Sequence, residues 1–484
     1  MRVVIGYPPL KPKKGHSTAL LSQNRQFQWF SSPTYVYPVI PASAATLLKA
    51  NGHDVFWLDG IAENWTYDQW LKKFIAVKPD LLFIETKTPV VKLHWRIIKD
   101  LKHKVRNLKV VLAGDHVTAL PKESLKNSPV DHIISGGNYD VSLLNIANSI
   151  SKGSATSEKF GTSRVIHSPT HLDLNTLPFI DRSLTKWHLY AYKNGNFKYL
   201  PGTYTMAGRD CWWRKNGGCT FCSWTTLYPQ FSVRSPENLL DEIGQLIKLG
   251  VKEVFDDTGT FMAGDWLEKF CKGLIKRGYH QKIYFGCNLR FGVLTKKQYT
   301  LMAKANFRFL LYGLESVNPK TIKRLNKGTD PTKVEAELKL IHQVNQETNG
   351  SLEPHVTCMV GYPWETLKDA QNTVNFTKNL FKNSLIDSLQ ATICIPYPGT
   401  KLFRQSKKNS WLRTSRWERF DMGEPIMKTK IKNQNLLKLT RNIYTSCLTP
   451  QYILKKLFSI RNLDDLKWFT NAGVKVIAHY LDFS

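Results

Sequence analysis

The sequence contains no apolar run as long as the roughly 18 residues that a membrane-spanning helix needs, which excludes an ordinary transmembrane segment. Its first residues have the pattern of a short strand followed by a loop, and not that of a secretory leader. Cysteine is sparse, with 8 residues in 484, which excludes a disulfide scaffold and fits a reducing, cytoplasmic compartment. Five of these residues stand singly among apolar neighbours and are expected to be buried thiols: Cys271, Cys287, Cys358, Cys394 and Cys447.

Acidic residues are also scarce, with 38 Asp and Glu against 68 Lys and Arg, which gives a net charge of +30. Residues 401–484 contain 17 basic and 6 acidic residues and contribute +11 of that charge. Such an excess is compatible with nucleic acid, an anionic lipid surface, an acidic substrate, or a basic surface without a dedicated partner. Charge alone therefore selects no function.

Three cysteines lie within twelve residues, at Cys211, Cys219 and Cys222. Three thiolates can hold three irons of a [4Fe–4S] cluster and leave the fourth iron open to a small molecule. A structural zinc site usually has four ligands, and this loop contains no fourth Cys or His, so zinc would need a remote ligand. The spacing favours a cluster that takes part in chemistry. Phe221 is expected to pack beside a bound nucleoside, although it could equally be a hydrophobic plug.

The first 150 residues alternate short apolar runs with helical patterns, which predicts a doubly wound parallel sheet. Strands are expected at Arg2–Ile5, Asp54–Leu58, Asp80–Thr86, Lys109–Ala113 and Asp131–Ser135. Helices are expected at Pro41–Ala50, Asp68–Val77, Val91–Val105 and Val141–Ser149. Ligands of such sheets bind beyond the carboxyl ends of the strands. The small and polar residues there that form a candidate cofactor cradle include Thr86, Gly114, His116, Gly136 and Gly137.

Residues 151–200 lose this alternation and are predicted to be a linker. A second alternation over 201–402 predicts six βα units, which form an open partial barrel with its site at the carboxyl ends of the strands. Residues 403–484 are predicted to be a basic helical region, with helices at Gln434–Ser446, Gln451–Ile460 and Asp464–Leu481. The six strands are expected at Thr203–Ala207, Glu253–Asp256, Lys282–Cys287, Arg308–Gly313, His355–Met359 and Gln390–Ile395.

Charged residues follow several strands of this second unit. Asp256 and Asp257 could accept hydrogen bonds from an ammonium group, or they could cap the next helix. Glu315 ends a strand that is otherwise apolar, where an unpaired carboxylate would be unfavourable, so a ligand or an internal arginine is expected beside it. Arg290 is the candidate for that internal pair or for a substrate carboxylate. Ser316 follows Glu315 and belongs to the same candidate site.

Together these motifs resemble those of cobalamin-binding-domain radical S-adenosylmethionine (SAM) enzymes, and in particular the anaerobic magnesium-protoporphyrin monomethyl ester cyclase-like group. The resemblance covers nearly the whole chain. In the second unit it rests on residues 219–224, 256–258, 313–321, 326–328, 361–365 and 396–400, and in the first on 85–89, 114–118 and 136–140.

The resemblance implies a [4Fe–4S] cluster on the three cysteines, SAM on its open iron, and cobalamin held between the two units. It implies reductive cleavage of SAM to a 5′-deoxyadenosyl radical, followed by C-methylation, cyclisation or rearrangement of an unactivated carbon skeleton. The substrate would be a small or lipid-like molecule, and the electron donor a protein such as flavodoxin or ferredoxin. The basic C-terminal region could contact an anionic membrane, or it could simply cap the barrel.

Two features depart from the family pattern. Seven residues separate the first two cysteines where three are common, and the first unit lacks the Asp-x-His-x-x-Gly motif of cobalamin bound through a protein histidine. An RNA-modifying, methylthiotransferase-like enzyme is an alternative, but a second cysteine set and an RNA-binding tail are missing, so nucleic acid is not expected as a partner. A non-catalytic iron–sulfur redox protein is the alternative from another class.

Overall fold

The fold is taken from a computed structural model, which describes residues 1–10, 17–18, 29–30, 35–152, 164–194, 196–445, 450, 454, 458, 460 and 463–482. Its regular structure is concentrated in two six-stranded parallel sheets. The predicted helix at Gln451–Ile460 and the predicted linker residues 153–163 lie largely outside the described residues.

The first sheet confirms the doubly wound architecture. Its strands are, in spatial order, Asp54–Asp59, Arg2–Tyr7, Leu81–Glu85, Lys109–Ala113, His132–Ser135 and Val165–His167. Every pairing is parallel, and the strands are apolar because helices cover both faces. The helices of this unit are Val39–Ala50, Tyr67–Val77, Val91–Lys104, Asp115–Ala119, Pro121–Asn127 and Tyr139–Ser151.

The order of these strands reverses at one place. From Arg2–Tyr7 the chain crosses first to Asp54–Asp59 on one side and then to Leu81–Glu85 on the other. Such a reversal opens a crevice at the carboxyl ends of the two strands, where doubly wound folds bind ligands. Tyr7 and Glu85 are the last residues of the two strands on either side of this point.

The sixth strand was not predicted. Val165–His167 pairs with His132–Ser135 and lies within the segment predicted to be a linker. With three residues among polar neighbours, it carries too little periodicity to be recognised from sequence. The segment that follows contains the helix Trp187–Lys193 and single turns at Leu174–Thr176 and Arg182–Leu184.

The second sheet follows chain order from edge to edge, as six successive βα units of an open barrel should. Its strands are Gly202–Thr205, Glu253–Asp256, Tyr284–Leu289, Phe307–Glu315, Glu353–Val360 and Ser388–Ile393. Its helices are Pro236–Lys248, Asp265–Lys276, Lys296–Lys304, Pro319–Leu325, Val334–Thr348, Leu367–Lys382 and Lys401–Lys408. At the opposite end from the strand carboxyl ends, the fully buried Arg308 forms ion pairs of 2.5 Å with Glu253 and Glu353 and so ties three strands together.

Among the described residues, the helices Asn433–Tyr444 and Leu463–Asp482 follow the last βα unit. The second of them exposes a row of apolar side chains that includes Leu463, Val474 and Ile477. Membrane contact by this region stays a prediction. None of the helices in the described ranges has the length and hydropathy to cross a bilayer.

Candidate functional site

The cysteine loop is shaped by two consecutive glycines. Cys211 is followed by a 3-10 turn over Trp212–Asn216, after which Gly217 and Gly218 both adopt positive φ, at 85° and 66°. Two successive left-handed residues are accessible without strain only to glycine. This reversal returns the chain so that Cys219 and Cys222 lie near Cys211 despite the long first gap.

All three cysteines line one cavity of about 410 Å³. Phe221 lines it too, so the structure places this predicted residue beside the cysteines. The cavity extends along the inner face of the second sheet, where alternate strand residues point into it: Leu311, Gly313 and Glu315; His355, Thr357 and Met359; Gln390 and Thr392. A single space therefore joins the cysteine sulfurs to a polar lumen large enough for a small organic ligand.

The loop is held by the segment that follows the helix Pro319–Leu325. Asn326 ends that helix in the left-handed conformation, with φ of 52°, and its side-chain amide donates to the carbonyl oxygens of Asn216 at 2.7 Å and Gly218 at 2.9 Å. The Trp213 indole donates to the Asn326 carbonyl at 2.7 Å. The cysteine loop is thus fixed by protein contacts on both sides of Gly217.

Arg290, selected from the sequence as a partner for Glu315 or for a substrate carboxylate, brings a positive charge to the sulfur atoms. Its Nη1 lies 3.7 Å from Cys219 Sγ, and its guanidinium carbon lies 4.1 Å from the centre of the Trp213 ring. Arg290 also donates to the Lys327 carbonyl oxygen. Arg290 therefore places a fixed cation beside the Cys219 sulfur.

Glu315 also lies in the cavity, and its partner within the protein is a lysine, where a ligand or an internal arginine was expected. Its carboxylate pairs with Lys327 at 2.9 Å. The residue has φ of 66°, which is unfavourable for a side chain other than glycine. At Gly313 a Cβ atom would lie 2.3 Å from the Glu315 carboxylate and 2.6 Å from Lys327 Nζ, so this glycine leaves room for the ion pair.

Burial opposes the ionisation of two of the three cysteine thiols. Burial raises the pKa of Cys222 well above its ordinary value, and burial likewise raises that of Cys211, whose thiol donates to Thr260 Oγ1 at 3.1 Å. Binding of iron to these sulfurs would therefore release protons. Within the described ranges, no three His, Cys, Asp or Glu side chains are arranged to hold a single metal ion.

Asp256, Asp257 and Ser316 lie next to this site but do not line the cavity. Asp256 accepts from the backbone nitrogens of Ala207 at 2.6 Å and Thr258 at 3.0 Å, and burial raises its pKa to about 7. Ser316 donates to Glu365 at 2.9 Å. These residues shape the backbone that carries the site, and their role in holding a ligand stays a prediction.

The crevice of the first sheet is polar and buried. Tyr7 Oη and both carboxylate oxygens of Glu85 form no hydrogen bond within the described part of the chain, although Glu85 lies 3.9 Å from Lys87 Nζ. Buried polar groups normally have a partner, so this crevice fits a ligand that carries polar groups. Gly114 follows the neighbouring strand with φ of 120°, and a Cβ there would lie 2.2 Å from the Thr86 carbonyl oxygen.

The other residues predicted at this edge have protein partners. Thr86 Oγ1 lies 2.7 Å from His94 Nδ1. His116 is fully buried, 3.3 Å from Thr88 Oγ1, and its ring packs against Trp417 with centroids 5.2 Å apart. This contact with the C-terminal region could not be foreseen from the sequence, and cofactor binding by either residue stays a prediction.

Gly136 and Gly137 lie at the contact between the two units. The Gly137 nitrogen donates to Leu227 at 2.8 Å, and a Cβ at Gly137 would lie 2.2 Å from the Tyr228 ring. A Cβ at Gly136, whose φ is 113°, would lie 2.1 Å from Ser168 Oγ. Gly137 thus allows the carboxyl edge of the first sheet to approach the short helix Trp224–Leu227, which follows the cysteine loop, and Gly136 allows the close approach of Ser168.

Several residues of the cavity were missed from the sequence. They are Thr260, Lys327, His355, Gln390 and, on the last helix, Lys475. Lys327 stands within the 326–328 motif, and the alternation of His355, Thr357 and Met359 along one strand is a signal that could have identified an inward face. Lys475 has no such signal, because its helix reaches the cavity from outside the βα units.

Residues 209–377 match the Radical SAM superfamily. This segment is therefore a radical SAM domain. The chain is 25% identical over 420 residues to an uncharacterized methyltransferase of Pyrococcus horikoshii, covering 84% of this chain and 87% of the relative. It is 24% identical over 409 residues to the anaerobic magnesium-protoporphyrin IX monomethyl ester cyclase of Rubrivivax gelatinosus, covering 81% and 70%.

Two solved radical SAM structures share the fold over most of the chain. The cobalamin-dependent SAM radical enzyme OxsB, with aqua-cobalamin bound, superposes with a TM-score of 0.66 at 15% identity and covers 99% of this chain and 72% of its own. The radical SAM methyltransferase TsrM of Kitasatospora setae, with cobalamin and a [4Fe–4S] cluster bound, gives a TM-score of 0.60 at 14% identity and covers 86% and 76%. The combination of a doubly wound unit with a radical SAM barrel is thereby confirmed.

Proposed function

We propose that this radical SAM protein is a cobalamin-dependent enzyme that methylates, cyclises or rearranges an unactivated carbon skeleton in the cytoplasm. The observation that carries the proposal is the single cavity that joins the three cysteines to the lumen of the second sheet. A cluster serving only electron transfer has no use for such a lumen. The names of the methyltransferase and cyclase relatives support the same reaction classes.

Cys211, Cys219 and Cys222 would hold a [4Fe–4S] cluster, which together with SAM supplies the one-electron reductive cleavage that begins radical chemistry. The chain's own residues prepare this site. Arg290 places its charge beside Cys219, and the Glu315–Lys327 pair lines the same space. With these charges fixed before a ligand arrives, little reorganisation is needed during reaction.

Cobalamin would lie at the crevice of the first sheet, where strand order reverses. Tyr7 and Glu85 present buried polar atoms there, and Gly114 keeps the adjacent strand end free of a side chain. The crevice edge contacts the helix after the cysteine loop through Gly137, so the two cofactors would occupy neighbouring regions. The fold shared with OxsB and TsrM supports this placement.

The residues that line the lumen also indicate the kind of substrate. Its lining combines the carboxylate of Glu315, the cations Arg290, Lys327 and Lys475, and the neutral polar groups of Gln390 and other strand residues. Such a surface suits a small molecule with several polar groups attached to a carbon framework. We place the reacting carbon of that molecule near Phe221, at the cysteine end of the lumen.

Anaerobic reconstitution tests the cluster. Three measurements should show a working [4Fe–4S] site. They are the iron content, the visible spectrum, and the yield of 5′-deoxyadenosine and methionine from SAM in the presence of a chemical reductant. Cys222→Ala should lose SAM cleavage and keep the far-ultraviolet circular dichroism spectrum. Cys271→Ala, at a buried cysteine of the helix Asp265–Lys276, is the matched control and should retain cleavage. Equal cleavage by wild type and Cys222→Ala would contradict the proposal, and iron without cleavage in the wild type would indicate a redox protein instead.

Cobalamin is tested separately. Protein purified from cells supplied with hydroxocobalamin should carry the corrinoid absorption bands, and mass spectrometry of the released ligand should identify it. A protein that binds iron and cleaves SAM but retains no corrinoid would show that the first sheet has kept the fold without the cofactor.

A further inference from the structure

The outer surface of the cysteine loop is covered by positive charge. Three elements meet there: the 3-10 turn Trp212–Asn216 and the helices Pro319–Leu325 and Lys401–Lys408. None of the three contains an Asp or Glu. We call their exposed basic residues the cationic face: Lys215, Lys320, Lys323, Arg324, Lys401, Arg404, Lys407 and Lys408.

This pattern differs from that of an ordinary exposed helix of the same sheet. The helix Val334–Thr348 carries three glutamates among its basic residues, and Lys339 pairs with Glu335 at 2.8 Å. The helix Lys401–Lys408 instead buries Leu402, Phe403 and Ser406 and presents only basic residues and Gln405 to solvent. Asp369 interacts electrostatically with Lys320, but no member of the cationic face forms an ion pair among the described residues. Like charges without paired counter-charges repel one another, so this arrangement indicates an interaction with a molecule outside the chain.

Both helices are attached directly to the segment between Cys219 and Cys222. The Thr220 nitrogen donates to the Leu325 carbonyl at 2.9 Å, and the Thr220 carbonyl accepts from the Leu402 nitrogen at 2.9 Å. Lys401 Nζ donates to the Gly217 carbonyl at 3.2 Å. The backbone that carries the cysteines is therefore exposed to solvent at Lys215–Gly217 in the middle of the cationic face.

We propose that the cationic face is the docking site of an acidic one-electron carrier protein. The inference rests on the proposed function, because reductive cleavage of SAM requires one electron from outside the chain. That electron would pass from the reduced carrier to the oxidised cluster, and no bond or proton would change hands in this step. The face surrounds the cluster-binding loop, and oppositely charged surfaces both orient a carrier and accelerate its association.

Binding is measured first, and it does not depend on enzyme activity. A bacterial flavodoxin, which is acidic, serves as the probe and is titrated into wild-type protein at low and at high ionic strength. The dissociation constant should rise steeply with salt, because exposed charges are screened. In the variant Lys323→Glu/Lys408→Glu it should rise roughly tenfold at low salt. Neither side chain forms an ion pair among the described residues, so folding should be retained.

Lys252→Glu/Lys282→Glu is the matched control. Both residues are exposed. Lys252 directly precedes the strand Glu253–Asp256 and Lys282 lies just before the strand Tyr284–Leu289, at the end of the second sheet opposite to the strand carboxyl ends. This variant has the same change in net charge and should bind flavodoxin as the wild type does. Equal weakening by both double variants would show that only net charge matters and would overturn the proposal, as would unchanged binding in both.

Two reductants then separate this inference from the proposed function. With reduced flavodoxin, SAM cleavage by Lys323→Glu/Lys408→Glu should slow roughly in proportion to the weaker binding, whereas with photoreduced 5-deazariboflavin, which is small and neutral, it should equal the wild-type rate. If the wild type fails with both reductants, the proposed function is wrong. If only the docking inference is wrong, cleavage with flavodoxin is the same in all variants.

Binding of a mixed-sequence RNA oligonucleotide is measured with the same variants. If Lys323→Glu/Lys408→Glu loses RNA binding but keeps flavodoxin binding, the face belongs to nucleic acid and the proposal is overturned.

Discussion

Arg209 and Asp140 form a buried, doubly hydrogen-bonded ion pair that joins the first sheet's unit to the start of the cysteine loop. Arg209 Nη1 donates to Asp140 Oδ1 at 2.9 Å, and Nη2 donates to Oδ2 at 2.6 Å. Both side chains are at most 5% exposed. The planar guanidinium and the carboxylate fit each other in this geometry, which fixes the orientation of one unit against the other. Cys211 follows Arg209 by two residues, so the pair also positions the first cysteine.

Removing one member of this pair should destabilise the protein strongly. In Asp140→Ala the guanidinium of Arg209 remains buried without its counter-charge, for which the expected loss is about 3–5 kcal/mol in the free energy of unfolding. Chemical denaturation followed by circular dichroism measures it. The exposed pair Lys296–Glu347, separated by 2.8 Å, is the comparison, and Lys296→Ala should lose less than about 1 kcal/mol. Equal losses would show that burial of the Arg209–Asp140 pair has no energetic consequence.

The amide of Asn326 should matter for the cysteine loop independently of its backbone conformation. Asn326→Gly preserves access to positive φ but removes the hydrogen bonds to Asn216 and Gly218, with an expected loss of about 1–3 kcal/mol in unfolding free energy. Asn349→Gly is the matched control, because Asn349 also ends a helix with φ of 51°. Iron retained after anaerobic reconstitution should fall in Asn326→Gly and stay unchanged in Asn349→Gly. A fall in both would assign the effect to the glycine itself.

Glu85 should make stability depend on pH in the direction opposite to that of a paired carboxylate. Burial raises its pKa from 4.5 to about 7, with partial opposition from Lys87. Between these two values the folded chain holds a proton that the unfolded chain has released, so stability falls as pH rises. Glu85→Gln removes this dependence. The unfolding free energy of Glu85→Gln minus that of the wild type should be about 3 kcal/mol larger at pH 8 than at pH 4.5.

The control for that measurement is Glu335→Gln, on the exposed surface of the helix Val334–Thr348. Its difference from the wild type should stay within about 0.5 kcal/mol across the same pH range. Parallel curves for Glu85→Gln and the wild type would mean that Glu85 is ionised in the folded protein already at low pH.

Gly137 should tolerate no side chain. In Gly137→Ala the new methyl group would lie 2.2 Å from the Tyr228 ring, and we expect about 1–3 kcal/mol of destabilisation as the contact between the units opens. Gly473→Ala provides the contrast, since no atom lies within 4 Å of its added methyl group and the residue is inside the helix Leu463–Asp482. That variant should be more stable by up to about 1 kcal/mol. Thermal unfolding of the two variants distinguishes steric conflict from a general effect of replacing glycine.

The cysteine loop and the alternation of strands and helices could be predicted because each depends on neighbouring residues. Three cysteines at short spacing specify their chemistry locally, and the long apolar strands such as Phe307–Glu315 identify themselves by composition. The strand Val165–His167 lacks both signals and was missed. Local patterns are thus sufficient for the architecture and for bringing the three cysteines to one cavity.

Partners that lie far apart in sequence could not be predicted in the same way. A ligand or an internal arginine was expected beside Glu315, which pairs with Lys327, while Arg290 contacts Cys219 and the Lys327 carbonyl. His116 packs on Trp417 from the far end of the chain. Asp256 has the acceptor role that its chemistry suggested, but its donors are backbone nitrogens. Residue type indicated that these groups needed partners, and only the folded arrangement identifies them.

The hydrogen bonds on both sides of Thr220 have a consequence for assembly. Zinc fingers and many small metal domains acquire their structure from the metal, so their apoproteins unfold. In this chain Thr220, one of the two residues between Cys219 and Cys222, is held by Leu325 and Leu402, which are buried residues of two helices. We therefore expect the loop to keep its shape without iron. Cluster insertion becomes a step that follows folding, and loss of the cluster to oxygen should leave a chain that can be loaded again.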